Sequence, residues 1–342
     1  MEGRMDQVRV GIIGYGYWGP NLVRNMADMQ QSELVIVSDL KKERLAHVQN
    51  LYPKVITTEN YRDLFSQHLD AVVIATPPVT HFQIAKECLE NGLNVLVEKP
   101  LTLSSTDATK LIDLAHLKNL TLMVGHTFEY NAAVRALKAL IDSGELGQIY
   151  YLDSARLNLG LFSHELNVLW DLAPHDISIL LYLLGKRPVS VSANGATCVI
   201  GDIHDVAYVN MLFPDNIMAH VHVSWLDPCK VRRVTVVGSK KMAVYNDIDA
   251  TEKIKIYDKG VTAQEYINSY GEFQFSYRYG DILIPNIHLV EPLKAECQHF
   301  LDCIINHTSP ISDGEDGLNV VKILEAAHRS LVDSGHTEML QW

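Results

Sequence analysis

Three side chains in this sequence have the chemistry to manage a proton and a developing charge on oxygen: Lys99, His175 and Asp171. Lys99 comes just after the apolar run Asn94–Val97. An ammonium at such a strand end can donate to a reacting oxygen or stabilise negative charge on it. His175 carries an imidazole with an ordinary pKa of about 6.5, suited to take a hydroxyl proton at neutral pH. Asp171 precedes it by four residues, so on a helix the two share a face. Pro174 favours a helix beginning at Ala173 or Pro174, with Asp171 near its N-cap. Two readings follow: Asp171 caps a helix and His175 is a satisfied, semi-buried histidine, or the pair orients and deprotonates a substrate hydroxyl. The second is what oxidation of a secondary alcohol requires, because the hydroxyl proton must leave as hydride departs to a cofactor.

A site for that cofactor is written near the start of the chain. Gly14, Gly16 and Gly19 form G-x-G-x-x-G directly after one apolar run and directly before a helical one, with Tyr17 and Trp18 completing the loop. Gly14 makes the tight turn, Gly16 lets the backbone approach a pyrophosphate, and Gly19 lets helix and strand pack closely. Asp39 lies 39 − 19 = 20 residues beyond, the spacing at which a carboxylate reaches the adenosine ribose hydroxyls and repels a 2′-phosphate. NAD is therefore favoured over NADP, a preference that the neighbouring Lys41 and Lys42 weaken. Two more segments fall at strand ends, where open α/β sheets bind ligands: Ala75–Pro78 with His81, and Glu98–Pro100. Thr76, Pro77, His81, Glu98 and Lys99 join the coenzyme candidates.

The elements that must position these residues alternate in the first part of the chain. Strands are expected over Val8–Ile13, Leu34–Ser38, Ala71–Ala75, Val95–Val97 and Leu120–Val124, and helices over Pro20–Met29, Lys41–Leu51, Thr80–Glu90 and Ser105–Leu117. That alternation predicts an α/β fold with a doubly wound parallel sheet covered on both faces. After a helix over Ala132–Ser143, a strand over Ile149–Leu157 and a helix over His175–Leu184, six alternating runs follow between Val189 and Tyr257 with no helix between them. Consecutive strands of this kind predict a mostly antiparallel sheet, closed by helices over Glu291–Asn306 and Glu315–Ser334. Val261–Ile287 contains Tyr266, Tyr270, Tyr277 and Tyr279 but little periodicity, and reads either as a substrate- or subunit-contact loop or as a plain connector.

Composition bounds the partners. The 342 residues suffice for two domains, and a net charge of −12 with no basic run argues against a nucleic-acid partner. No apolar stretch is long enough for a membrane span, and the five scattered cysteines form no C-x-x-C pair, which suits a reduced, cytoplasmic setting. No metal site is expected, since His220 and His222 have no evident third ligand.

Taken in order, these motifs resemble the Gfo/Idh/MocA family of NAD(P)-dependent oxidoreductases. The resemblance rests on the Gly14–Gly19 loop, Ala75–Pro78 with His81, Glu98–Pro100, Gly125–Phe128, Ser143–Ile149 and Asp171–Asp176, and it runs through essentially the whole chain. It implies an N-terminal Rossmann domain over residues 1–125 and a C-terminal α/β substrate and oligomerisation domain over 126–342 with a large, open, mostly antiparallel sheet. It also implies homodimers or homotetramers through that sheet, a cis Lys99–Pro100 peptide, and Asp171 and His175 lining a sugar site. The proton acceptor, by the same resemblance, is either Lys99 or His175. Arg156–Gly160, Trp170–Asp176 and Glu291–Glu296 with Phe300 resemble a branch that acts on nucleotide-activated sugars. That branch implies oxidation of the 3-hydroxyl of a UDP-N-acetylhexosamine or its uronic acid. From their positions alone, Glu129 and Tyr130 after the sixth strand are substrate candidates, and Arg156 and Asn158 read either as ligands for substrate hydroxyls or phosphate or as a solvated strand face. The alternatives are a free polyol or aldose dehydrogenase, a ketosugar reductase, an NAD-dependent glycosidase, and a non-catalytic NAD-binding regulator, which would have no need of Lys99 and His175.

Overall fold

The computed structural model describes residues 7–162, 165–264 and 274–342. They divide into two compact units, one of residues up to Tyr130 together with Val290–Lys322, the other of Asn131–Leu289 together with Ile323–Trp342.

The first unit begins as alternating strands and helices: β1 (Val8–Ile13), α1 (Gly19–Asp28), β2 (Ser32–Ser38), α2 (Lys42–Leu51), β3 (Ile56–Thr58), β4 (Ala71–Ile74), α3 (His81–Glu90), β5 (Asn94–Glu98), α4 (Ser105–Lys118) and β6 (Leu122–Gly125). The six strands form a parallel sheet in the order β3-β2-β1-β4-β5-β6. The order reverses between β1 and β4, which opens a crevice at the carboxyl ends of those strands. Val10, Ile12, Val72, Val73 and Ile74 are fully buried because both sheet faces are covered. One face carries Val72, Ile74, Val95 and Val97 against Ala85, Leu89, Ala108 and Leu111 of α3 and α4.

The second unit contains α5 (Ala132–Asp142), β7 (Ile149–Leu157), α6 (Val168–Leu184), β8 (Ser190–Ala196), β9 (Val206–Leu212), β10 (Met218–Ser224), β11 (Val231–Gly238), β12 (Met242–Asn246), β13 (Ile254–Gln264) and β14 (Gln274–Leu283). After α7 (Pro292–Asn306) and α8 (Gly314–Val332), the two-residue β15 (Glu338–Met339) completes its sheet. The nine strands run β14-β13-β12-β11-β7-β10-β9-β8-β15, antiparallel throughout except for β7 beside β10. The expectation of a parallel sheet followed by a large, mostly antiparallel one is met.

Two expectations differ from what is observed. The tyrosine-rich stretch is not a loop over the described residues: β13 and β14 pair from Ile256↔Leu283 to Gln264↔Gln274, with Tyr277 and Tyr279 exposed and stacked on each other. Tyr266 and Tyr270 lie outside the described residues. The division of the chain is also not a single cut after residue 125, because α7 belongs to the first unit. Its Leu293, Cys297, Phe300 and Leu301 fill the other sheet face together with Val10, Ile12, Leu22 and Met26.

Candidate functional site

The glycine loop sits at the crevice between β1 and β4. Gly14 has φ +99°, and a Cβ there would meet Ala75 O at 2.4 Å, so only glycine fits the turn. A Cβ at Gly19 would meet Gly14 O at 2.5 Å, whereas Gly16 faces open space apart from Arg44 Nη1 at 3.8 Å. Trp18 leads into α1 without a side-chain cap, and Pro20 lies in its first turn, so the helix presents its backbone N–H groups toward the loop. Tyr17 and Trp18 are exposed and meet edge to face. Asp39, at the end of β2, is buried; its Oδ2 accepts from Tyr15 N–H at 2.7 Å and its Oδ1 from Lys41 N–H at 2.9 Å.

Two further loops meet beside it. His81 is fully buried, with Nδ1 2.8 Å from Pro100 O and Nε2 2.8 Å from Thr76 O. Burial, above all, holds its pKa below the usual value, and the two carbonyls oppose that shift. The ring lies between the loop after β4 and the loop after β5 and donates to both carbonyls only when protonated. The Thr76 hydroxyl accepts from Thr80 Oγ1 at 2.7 Å, and the Lys99–Pro100 peptide is cis, as the resemblance implies.

Behind Lys99 lies a cluster of buried acids. Thr127 donates to Glu296 Oε2 at 2.9 Å, the Tyr130 hydroxyl meets Ser312 Oγ at 2.9 Å, and the fully enclosed His126 ring is 3.7 Å from Asp316 Oδ2. Burial pushes the Glu98 carboxyl up to about 7, with the Lys99 charge opposing. It lifts Glu296 well above the carboxylate range, with Glu98 adding to the effect, and Glu129 likewise, with Asp316 adding. Asp316 rises to about 6, and His126 falls to about 3 through burial and then the Lys99 charge. At neutral pH the imidazole of His126 is therefore neutral.

In the second unit α6 starts earlier than Pro174 suggests. Asn167, not Asp171, is the N-cap, its Oδ1 accepting from Trp170 N–H at 3.2 Å. Asp171 lies inside the first turn and Pro174 inside the helix, so Asp171 and His175 are one turn apart on one face. Trp225 Nε1 donates to Asp171 Oδ2 at 3.0 Å and fixes that carboxylate. On the same helix Asp176 is buried against β7, taking Arg156 Nε at 2.6 Å and Ser154 Oγ at 2.7 Å.

Comparison with known proteins decides the family. A family model described as an oxidoreductase family with an NAD-binding Rossmann fold matches residues 8–126, and the Gfo/Idh/MocA C-terminal domain model matches residues 134–244. The chain belongs to the Gfo/Idh/MocA oxidoreductase family. Among Gfo/Idh/MocA relatives it is similar to a UDP-N-acetylglucosamine 3-dehydrogenase of Acidithiobacillus ferrooxidans, 28% identical over 93% of this chain and 95% of that one. A solved structure of that enzyme superposes with a TM-score of 0.78 over 95% of this chain and 98% of the other, at 26% identity. A myo-inositol 2-dehydrogenase of Thermotoga maritima is 24% identical over 95% of this chain and 96% of its own. The fold is shared with a protein of gentamicin A biosynthesis solved with NAD, at a TM-score of 0.83, 22% identity, and coverage of 100% and 99%. The cradle at Gly14, Gly16 and Gly19 fits the dinucleotide this family binds, since the loop is closed where glycine must turn and open where a pyrophosphate must approach.

Lys99 belongs to the first unit, and Asp171 and His175 to the second. His81 has both ring nitrogens 2.8 Å from carbonyl oxygens, those of Pro100 and Thr76. Glu129 and Tyr130 are buried in the first unit. Arg156 is buried and paired with Asp176, so its guanidinium anchors α6 to β7. Asn158, just past β7, is half-buried. Sequence reasoning missed Arg44, Trp225 and Asp316 as partners of named residues; Arg44 returns to Asp39 from the first turn of α2, whereas Trp225 and Asp316 meet their partners across long separations in the chain.

The raised Glu98 carboxyl has a measurable consequence. In the unfolded chain this group loses its proton near 4.5, and in the folded chain near 7. Stability is therefore fully present below about pH 4.5 and declines as pH rises toward 7, by roughly 2–3 kcal/mol from this residue. Glu98→Gln should lose less stability than the parent between those two values in urea unfolding. Parallel curves for the two proteins would contradict this assignment.

Proposed function

We propose that this oxidoreductase oxidises a secondary hydroxyl of a nucleotide-activated sugar, carbon 3 of a UDP-N-acetylhexosamine or its uronic acid, with NAD as the preferred coenzyme in the cytoplasm. The observation that carries the reading is the similarity to the UDP-N-acetylglucosamine 3-dehydrogenase across 93% of this chain and 95% of that one. Gly14, Gly16, Gly19 and Asp39 hold the dinucleotide, with Thr76 and Pro77 in the loop beside His81. When bound, the nicotinamide supplies the two-electron acceptor for hydride. His175 takes the hydroxyl proton on Nε2, oriented by the turn it shares with Asp171, while Asp171, pinned by Trp225, accepts a substrate hydroxyl. Lys99, in the first unit, supplies an ammonium that stabilises negative charge developing on a reacting oxygen. Assembly through the nine-stranded sheet accompanies this reading: Tyr151, Met218 and Leu212 are cross-strand neighbours on one face and all exposed.

A second reading, a free polyol dehydrogenase, is favoured by one observation. Arg156, the cation expected to meet a diphosphate, is occupied by Asp176. Absorbance of NADH separates the two when coenzyme-free protein with NAD is offered UDP-N-acetylglucosamine, its uronic acid, myo-inositol and glucose. Turnover of a nucleotide sugar is the expected result, and turnover of the free polyols alone overturns the first reading in favour of the second.

A further inference from the structure

We propose that Gly160 and Trp225 are positioning residues for the reaction. The missing side chain at 160 lets the Trp225 indole stand where its N–H holds the Asp171 carboxylate in place for substrate. The inference rests on Asp171 accepting a substrate hydroxyl, and goes beyond it to what sets the place of that carboxylate.

All three residues belong to the second unit. There β7 and β10 run parallel and end level, with Leu157 beside Ser224. The chain beyond β7 keeps that course: Asn158 N–H donates to Ser224 O at 3.2 Å and Gly160 N–H to Trp225 O at 2.9 Å. Trp225 N–H donates in turn to Asp205 O at 2.9 Å, so the tryptophan backbone is held on both sides. Trp225 is 1% exposed, and the Phe162 ring lies beside its indole with centroids 5.5 Å apart. From this enclosed position Nε1 reaches Asp171 Oδ2, in the first turn of α6, at 3.0 Å.

Gly160 is what makes room for that position. Its backbone is not left-handed, so no turn demands glycine there; the closeness of the indole does. A Cβ on residue 160 would stand 2.8 Å from Trp225 Cδ1 and 3.3 Å from its Cγ. Carbon atoms in contact settle at about 3.5–4.0 Å, so any side chain forces a shift of about 0.7 Å or more. Cδ1 is bonded to Nε1, which places the atom that must give way next to the donor. With the Trp225 backbone held on both sides, the ring yields by turning and draws its N–H off the carboxylate. A hydrogen bond weakens steeply with such a change in length and angle. Misplacing a substrate-orienting group by about 1 Å costs on the order of a hundredfold in rate.

The test is a cycle of variants in the full-length chain, read as kcat and KM from NADH absorbance. NAD is supplied with UDP-N-acetylglucosamine, its uronic acid or myo-inositol. Gly160→Ala and Trp225→Phe should each lower kcat about tenfold or more and leave NADH affinity within about threefold. In an Asp171→Ala background neither change should matter by more than about twofold, because the group through which they act is gone. The Gly160→Ala, Trp225→Phe protein should be no slower than Trp225→Phe alone, since the N–H that the methyl displaces is already absent. A purely structural contact gives the opposite pattern, losses that persist at full size without Asp171, and that result overturns the proposal. So does a Trp225→Phe variant with kcat within about threefold of the parent. Should Gly160→Ala fail to fold, Trp225→Phe with and without Asp171→Ala decides alone. An Asp171→Ala variant as fast as the parent, or a parent that turns over none of the three sugars, would instead overturn the reading beneath the proposal.

Discussion

Replacing Lys99 with methionine is expected to lower turnover about a thousandfold while changing NADH affinity less than threefold. Methionine keeps the unbranched stem and removes the ammonium, so what is lost is the donor that stabilises charge on the reacting oxygen, not the shape of the loop. That loop is packed independently of the ammonium, with His81 Nδ1 2.8 Å from the Pro100 carbonyl oxygen. The split between kcat and coenzyme affinity is therefore the diagnostic reading. A substrate identified in the NADH absorbance screen allows the measurement in steady state. Turnover within tenfold of the parent would remove Lys99 from the chemistry, and an unaltered cellular phenotype would favour a regulator that only binds NAD.

The second large effect is on stability. Arg156 and Asp176 form an ion pair at 2.6 Å with side chains 5% and 2% exposed, and Ser154 adds a hydrogen bond at 2.7 Å. Arg156→Met strands a carboxylate in the interior, and Asp176→Leu takes the carboxylate from a buried guanidinium. Each is expected to cost about 3–5 kcal/mol, because a buried charge without its partner keeps the full desolvation penalty. The combined Arg156→Met, Asp176→Leu protein should be much closer to the parent, since an apolar pair of similar volume pays no such penalty. Urea unfolding of the four proteins measures the coupling directly. Additive losses in the double variant would show that the ion pair is not the interaction that holds α6 on β7.

The coenzyme cradle was legible because its determinants are local. The turn at Gly14, the packing at Gly19 and the carboxylate of Asp39 all follow from one strand–turn–helix–strand unit. What escaped reading depends on distant partners. The lysines beside Asp39 drew attention by proximity in sequence, yet helical geometry brings Arg44, five residues on, back over the carboxylate. Asp171 looked like a cap because Pro174 suggested a helix start, whereas Asn167 caps and the proline is accommodated within the helix. Arg156 looked available because a strand is expected to expose alternate residues. In β7, Ser154, Ala155, Arg156 and Leu157 are all buried, and the arginine finds its partner on α6. The acids behind Lys99 were equally hidden, since Glu296 and Asp316 come from α7 and α8, far along the chain from Thr127 and His126.

The placement of α7 has a consequence for synthesis. When the ribosome has delivered residue 130, all six strands of the parallel sheet exist, but the face bearing Val10 and Ile12 still lacks Leu293, Phe300 and Leu301. A further 290 − 130 = 160 residues must emerge before that face is sealed. At about 5–20 residues per second this takes roughly 10–30 s. Through that interval the nascent half-domain carries an uncovered apolar surface, the kind that recruits chaperones. A fragment truncated after Tyr130 would retain that exposed face indefinitely, and is expected to aggregate where the whole chain does not.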